Sequence, residues 1–189
     1  MEALALSLLV VAVGEIGDKT QFLALMLAAR FRRPAPIVLG IAVATLFNHT
    51  LAGVVGAWVR HVVPEVYLRW LVGASFLAVA LWSLKPDVGD DAAPVEIGRV
   101  GVFMVTTASF FLAEMGDKTQ VATVLLAAQF SNLAAVVAGT TIGMLIADIP
   151  VVLAGHAASA KIPFKLVRRI TAALFIALAA ASVLAPSFH

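Results

Sequence analysis

Apolar residues fill this chain in six long runs, near residues 2–29, 36–59, 66–84, 100–129, 133–155 and 164–185, and the breaks between them collect proline and charged residues. A helix needs about 20 apolar residues to cross a hydrocarbon core of about 30 Å, so the runs predict six transmembrane helices. Two runs carry the same interruption. The first holds Glu15-Ile16-Gly17-Asp18-Lys19-Thr20-Gln21, and the fourth holds Glu114-Met115-Gly116-Asp117-Lys118-Thr119-Gln120. Eleven largely apolar residues, Ala3 to Val13, precede the first motif and eight, Phe22 to Ala29, follow it, which puts its charges near mid-membrane. The second motif is placed alike.

The two motifs belong to a longer repeat. Shifting the chain by 99 positions aligns Glu15 with Glu114, and ten of the seventeen positions through Phe31 and Phe130 are identical. Further matches are Gly40 with Gly139, Gly56 with Gly155, Arg69 with Arg168 and Phe76 with Phe175. Each half holds three runs, an odd number, so the second half must enter the membrane in the opposite sense. The expected fold class is therefore an all-α integral membrane protein, six transmembrane helices arranged as two inverted-topology repeats of three. Residues 1–84 form the first repeat, 85–99 a linker and 100–189 the second. Secondary transporters recurrently use this plan, with the substrate site near the midplane where the repeats meet.

Composition agrees. The 189 residues are 62% hydrophobic and 13% charged, with a mean hydropathy of +1.03, values that a water-soluble domain of this size does not carry. The first run has no basic residues ahead of it and no small-residue cleavage site, so it reads as a retained helix. Zero Cys excludes thiol redox chemistry, disulfides and zinc-thiolate sites. Arg30, Arg32, Arg33, Lys85, Arg99, Lys161, Lys165, Arg168 and Arg169 fall on one side of a six-helix chain and only Arg60 and Arg69 on the other. The positive-inside rule makes the first side cytoplasmic, which places both termini outside, in the periplasm if the membrane is a bacterial inner membrane. The segment KPDVGDDAAPVEIGR is then a cytoplasmic linker. The small net charge of +2 reflects loop orientation and gives no footprint for nucleic acid.

On one continuous helix Glu15, Asp18 and Lys19 share a face, as do Glu114, Asp117 and Lys118. Gly17 and Gly116 weaken the helix there and allow close approach or local unwinding that frees carbonyls. A charge at the bilayer centre costs about 2.5–3.5 kcal/mol even on lenient scales, so these six must face one another. Four carboxylates and two ammonium groups carry a formal charge of −2, which one divalent cation or two protons would neutralise. Metal and protons then compete for the same oxygens. Carboxylates, the Thr20 and Thr119 hydroxyls and the Gln21 and Gln120 amides suit hard ions such as Ca²⁺, Mn²⁺ or Mg²⁺. Met115 offers a thioether that would favour Mn²⁺, or else packs in the core. A Glu/Lys pair that only holds helices together is the structural alternative, yet two copies with an Asp left over exceed what such glue requires. Asn48, His49 and Asp148 are further polar residues in apolar runs, expected either to line a cation or proton route or to bridge helices. Pro150 follows Asp148 and removes a helix hydrogen bond. Trp58, Trp70, Trp82 and Tyr67 near run ends suit interfacial anchoring.

The paired motifs, with TLFNHTLAGVVG after the first and GTTIGMLIADIPVVLAG after the second, resemble those of the six-helix cation exchangers with E-x-G-D-K-[ST] signatures. That family includes eukaryotic Golgi calcium/manganese transporters and bacterial manganese exporters. The resemblance covers nearly the whole chain, and the compact six-run form is similar to the bacterial members, which makes export of Mn²⁺ from the cytoplasm the first expectation and Ca²⁺ the second. It implies a transporter rather than an enzyme, exchanging Mn²⁺ or Ca²⁺ for protons across the inner membrane by alternating access. It also implies a cation site of Glu15, Asp18, Glu114 and Asp117, with Lys19, Lys118, Thr20 and Thr119 matching its lysine and hydroxyl positions. The expected partners are a divalent cation, protons and lipid, without a permanent cofactor; monomer and homodimer both stay open. A passive divalent-cation channel and an exporter of a small cationic metabolite are the competing readings. An intramembrane aspartyl protease is disfavoured by the Lys and Glu beside each Gly-Asp.

Overall fold

The computed structural model describes residues 1–84, 101–154 and 164–184. The expected linker over 85–99 and the basic residues Lys85, Arg99 and Lys161 lie outside them. The described residues form eight helices: α1 Glu2–Glu15, α2 Lys19–Phe31, α3 Pro34–Val62, α4 Glu65–Ser83, α5 Val102–Glu114, α6 Lys118–Gln129, α7 Leu133–Ala154 and α8 Phe164–Leu184. Two more than the six runs arise because the first and fourth runs are each divided at the motif. Helices α3, α4 and α7 are each long and apolar enough to cross a membrane unaided. By contrast α1 and α5, at 14 and 13 residues, reach only about 20 Å at 1.5 Å per residue. Neither is long enough to cross a hydrocarbon core of about 30 Å by itself.

Arginine, proline and asparagine set two of the corners. Arg32 ends α2 in the left-handed region at φ 52°, and Pro34 opens α3, where its missing N–H costs no hydrogen bond. Asn132 accepts the Ala135 N–H at 2.9 Å at the start of α7.

The burial pattern is the reverse of a soluble protein's. On α3, Leu39, Val43, Leu46, Phe47, Val54 and Trp58 are exposed, while Thr45, Asn48 and His49 are buried with Gly40, Gly53 and Gly56. Apolar residues facing outward and polar ones facing inward require an apolar solvent. Trp58, Trp70, Trp82 and Tyr67 are all exposed.

Four helix contacts form two corresponding pairs, α1 on α7 with α5 on α3 and α6 on α3 with α2 on α7, while α4 on α6 and α1 on α8 have no counterpart of similar size among the described residues. The remaining large contacts, α3 with α7 and α4 with α8, join helices that occupy the same place in the two halves. Phe76 and Phe175, aligned by the 99-residue shift, stack with ring centroids 6.0 Å apart between α4 and α8. Small residues make the α1–α7 contact close. A Cβ at Gly139 or Gly143 would come within 2.5 Å of the Leu4 or Leu8 carbonyl oxygen, so α7 meets α1 backbone to backbone. That contact carries the end of α1, and Glu15 with it, into the interior.

Candidate metal centre

Each motif is a turn between two helices. Ile16 lies at φ −61°, ψ 116°, and Met115 at φ −61°, ψ 118°; Gly17 and Gly116 follow at φ 79° and 76°. The turn closes by the Asp18 N–H on the Glu15 carbonyl at 3.0 Å, and by the Asp117 N–H on the Glu114 carbonyl at 3.1 Å. These are the marks of a type II β-turn, which needs a residue at positive φ in its third position and so selects Gly. Asp18 and Asp117 then cap α2 and α6 at φ −79°, ψ 165°. The shared helical face expected for Glu15, Asp18 and Lys19, and for their counterparts, is therefore corrected: Glu ends one helix, Asp caps the next and Lys begins it. The carboxyl end of one helix and the amino end of another meet at each motif, so partial charges of both signs border the centre.

The two turns meet. Glu15, Asp18, Glu114 and Asp117 are all buried, and one carboxylate oxygen from each lies within 4.8 Å of the other three. Oxygens on opposite sides of a divalent ion stand about 4.0–5.2 Å apart at metal–oxygen distances of about 2.0–2.6 Å, so these four can share one ion. The threonines aim the glutamates. Thr20 Oγ1 donates to Glu15 Oε2 at 2.7 Å and Thr119 Oγ1 donates to Glu114 Oε2 at 3.0 Å. The other oxygen of each, Glu15 Oε1 and Glu114 Oε1, is buried without a hydrogen-bond partner. Leaving a charged oxygen in that condition is costly unless a cation or proton meets it.

The lysines pair across the halves. Lys19 Nζ lies 3.3 Å from Asp117 Oδ1, and Lys118 Nζ contacts Asp18 Oδ1. Sequence spacing did not reveal this reciprocal exchange, because a continuous helix would have set each lysine beside its own motif's Glu. The pairs are unequal in burial: the Lys19 side chain is 32% exposed and that of Lys118 is 5% exposed.

The glutamines are not arranged as ligands through their amide oxygens. Gln21 Oε1 accepts the Gly17 N–H at 2.8 Å and Gln120 Oε1 accepts the Gly116 N–H at 2.7 Å, so each clamps its own turn. Met115 is exposed and so adds no thioether to the buried cluster. Asn48 donates to the Phe111 carbonyl at 3.0 Å, which is a bridge from α3 to α5. His49 and Asp148 are fully buried, and neither ring nitrogen of the one nor carboxylate oxygen of the other has a hydrogen-bond partner. Both stand outside the group of four.

The family described as divalent cation/proton antiporter GDT1 matches residues 3–91 and 102–188. A Vibrio cholerae protein named "Putative manganese exporter" is 46% identical over 183 residues, covering 96% of this chain and 90% of that protein. A GDT1-like protein of Synechocystis is 30% identical over 202 residues, covering 96% and 97%. A GDT1-like protein 3 of rice, Oryza sativa, is 27% identical over 215 residues, covering 98% and 75%. No solved structure gives a significant match.

Proposed function

Because this chain belongs to the GDT1 family of divalent cation/proton antiporters, we propose that it exports Mn²⁺, with Ca²⁺ as a second substrate, from the cytoplasm in exchange for entering protons. The ion binds among Glu15, Asp18, Glu114 and Asp117. The observation that carries this reading is the convergence of one carboxylate oxygen from each of these four acids within 4.8 Å, two from each motif.

Charge balance gives the coupling. Four carboxylates and two ammonium groups leave a formal −2, met by one divalent ion or by two protons but not by both together. An empty site with neither is an uncompensated charge in low dielectric, so the loaded states are the ones that cross. Thr20 and Thr119 hold the glutamate oxygens in place for either occupant. Lys19 and Lys118 stay beside the aspartates and neutralise two of the four carboxylates, which leaves the −2 that the ion or the protons meet. His49 and Asp148 line the route by which protons reach the centre, supported by their complete burial without partners.

The same proposal extends to the fold. The α1–α2 and α5–α6 pairs each count as one interrupted span, which with α3, α4, α7 and α8 gives six spans in two inverted repeats over 1–84 and 100–189. The corresponding contacts, the reciprocal Lys–Asp pairs and the family match to one stretch in each half support it. Interrupted helices at the midplane are where such transporters bind ions. The protein sits in the bacterial inner membrane with both termini periplasmic and the 85–99 linker in the cytoplasm.

The test is Mn²⁺ and Ca²⁺ uptake into liposomes containing the purified protein, with an internal pH dye. Metal movement that drives proton counter-movement, with Mn²⁺ faster than Ca²⁺, is the expected result. Metal flux without proton movement would replace the exchanger by a channel, and no flux of either ion would overturn the proposal.

A further inference from the structure

We propose that Gln21 and Gln120 are alternating latches, positioning residues that tie the state of each motif turn to the opposite half of the molecule. This rests on the exchange reading above and deepens it.

Each glutamine is fixed to its own turn by its amide oxygen, which accepts the Gly17 or Gly116 N–H. The amide nitrogen is thereby left to contact something else. For Gln21 that contact is the carbonyl oxygen of Ala147 on α7, at 3.0 Å and buried. Ala147 aligns with Asn48 under the 99-residue shift, so the corresponding bond would run from Gln120 to the Asn48 carbonyl on α3. It is not formed. Among the described residues the Gln120 amide nitrogen has no partner, and Asn48 turns its own amide to the Phe111 carbonyl on α5.

Other features divide the same way. Lys19, in the docked half, is about a third exposed, whereas Lys118 is buried. A cavity of about 290 Å³ opens beside Gln21, lined by Ala12, Val13, Ile146, Ala147 and Pro150. At the aligned positions in the other half, Phe47 and Phe111, which align with Ile146 and Ala12, stand with their rings 5.7 Å apart. Two motifs of nearly the same chemistry and backbone thus differ in the docking of their glutamines and the exposure of their lysines, as one member of a pair of exchangeable states requires.

In the other member the Gln120 amide nitrogen docks on the Asn48 carbonyl and Gln21 releases Ala147. On release the Ala147 carbonyl keeps its intrahelical bond, so the cost falls on the buried Gln21 amide, and docking of Gln120 in the other half offsets it. Each latch holds the turn that carries an aspartate of the metal centre, so ion or proton binding that shifts the turn also shifts the latch. Only a contact that differs between two states can bias them, and this one does.

The test measures the apparent KM for Mn²⁺ at each membrane face, in proteoliposomes of determined orientation holding the full-length chain, for wild type, Gln21→Leu and Gln120→Leu. A substitution that weakens one state lowers the fraction facing one side, raising the KM there and lowering it at the opposite face. The expected result is that at any one face the two variants move the KM in opposite directions, each by about 2- to 10-fold, the range one net hydrogen bond supports. The double variant returns towards wild type. Both variants also lose the bond to glycine, and that shared loss drops out of the comparison. Gln21→Met and Gln120→Met keep the side-chain length and add no charge, and serve where the leucine variants fail to fold. Shifts of the same sign at both faces, or none, overturn the latch. Absence of coupled exchange in the wild type would instead overturn the functional proposal beneath it.

Discussion

At the scale of single residues, the two oxygens of each glutamate stand in different surroundings. Thr20 and Thr119 occupy one oxygen of each glutamate and leave the other unpartnered. Removing the hydroxyl frees the carboxylate to rotate, so Thr20→Val and Thr119→Val should each weaken Mn²⁺ binding by about 10- to 100-fold, the usual cost of losing a group that orients a ligand. Calorimetric titration of folded, detergent-solubilised protein checks this. The same oxygens bind protons, and a ligand must be deprotonated to hold metal, so affinity falls as pH falls. The logarithm of the binding constant is expected to rise with pH with a slope of about two where both protons are displaced; a flat profile in the same titration would contradict exchange. The convergence of the four acids was legible in the sequence because a charge within an apolar run is too costly to stand there without a counter-charge or a ligand. The partners of Lys19, Lys118, Gln21 and Gln120 were not, since their positions depend on the path of the backbone between the helices.

At the scale of elements, the two broken helices set the geometry. Run length reports composition, and by composition each motif sits inside one span; only the hydrogen bonds reveal that Glu15 closes α1 and Lys19 opens α2. The glycine held the signal, because Glu-x-Gly-Asp fits a type II turn as well as it fits a weakened helix. Gly116 isolates the backbone contribution, since a Cβ there meets nothing within 4 Å while its φ is +76°. Gly116→Ala is therefore expected to cost about 1–2 kcal/mol through the left-handed backbone alone, read as a lower thermal midpoint in the absence of metal. An unchanged midpoint would mean that the turn is not held at positive φ. The exposed apolar stripe on α3 was legible as a span, but its buried face of Thr45, Asn48 and His49 required the neighbouring helices to be in place.

At the scale of the whole molecule, the 99-residue repeat was readable from the paired motifs and from landmarks such as Phe76 and Phe175, which meet face to face between α4 and α8. Sequence identity between the halves does not reveal which helices touch, and the reciprocal contacts of α1 with α7 and α5 with α3 come from packing around close-approach glycines. The central claim is that the two motifs build one ion site between them. Mn²⁺ bound per chain, counted by calorimetry and electron paramagnetic resonance on purified wild type, Glu15→Gln and Glu114→Gln, tests it most directly. One ion per wild-type chain is expected, with an affinity loss of at least about 100-fold in either single variant, beyond the usual cost of removing an orienting group. Two ions per wild-type chain, with each variant keeping one at full affinity, would contradict it.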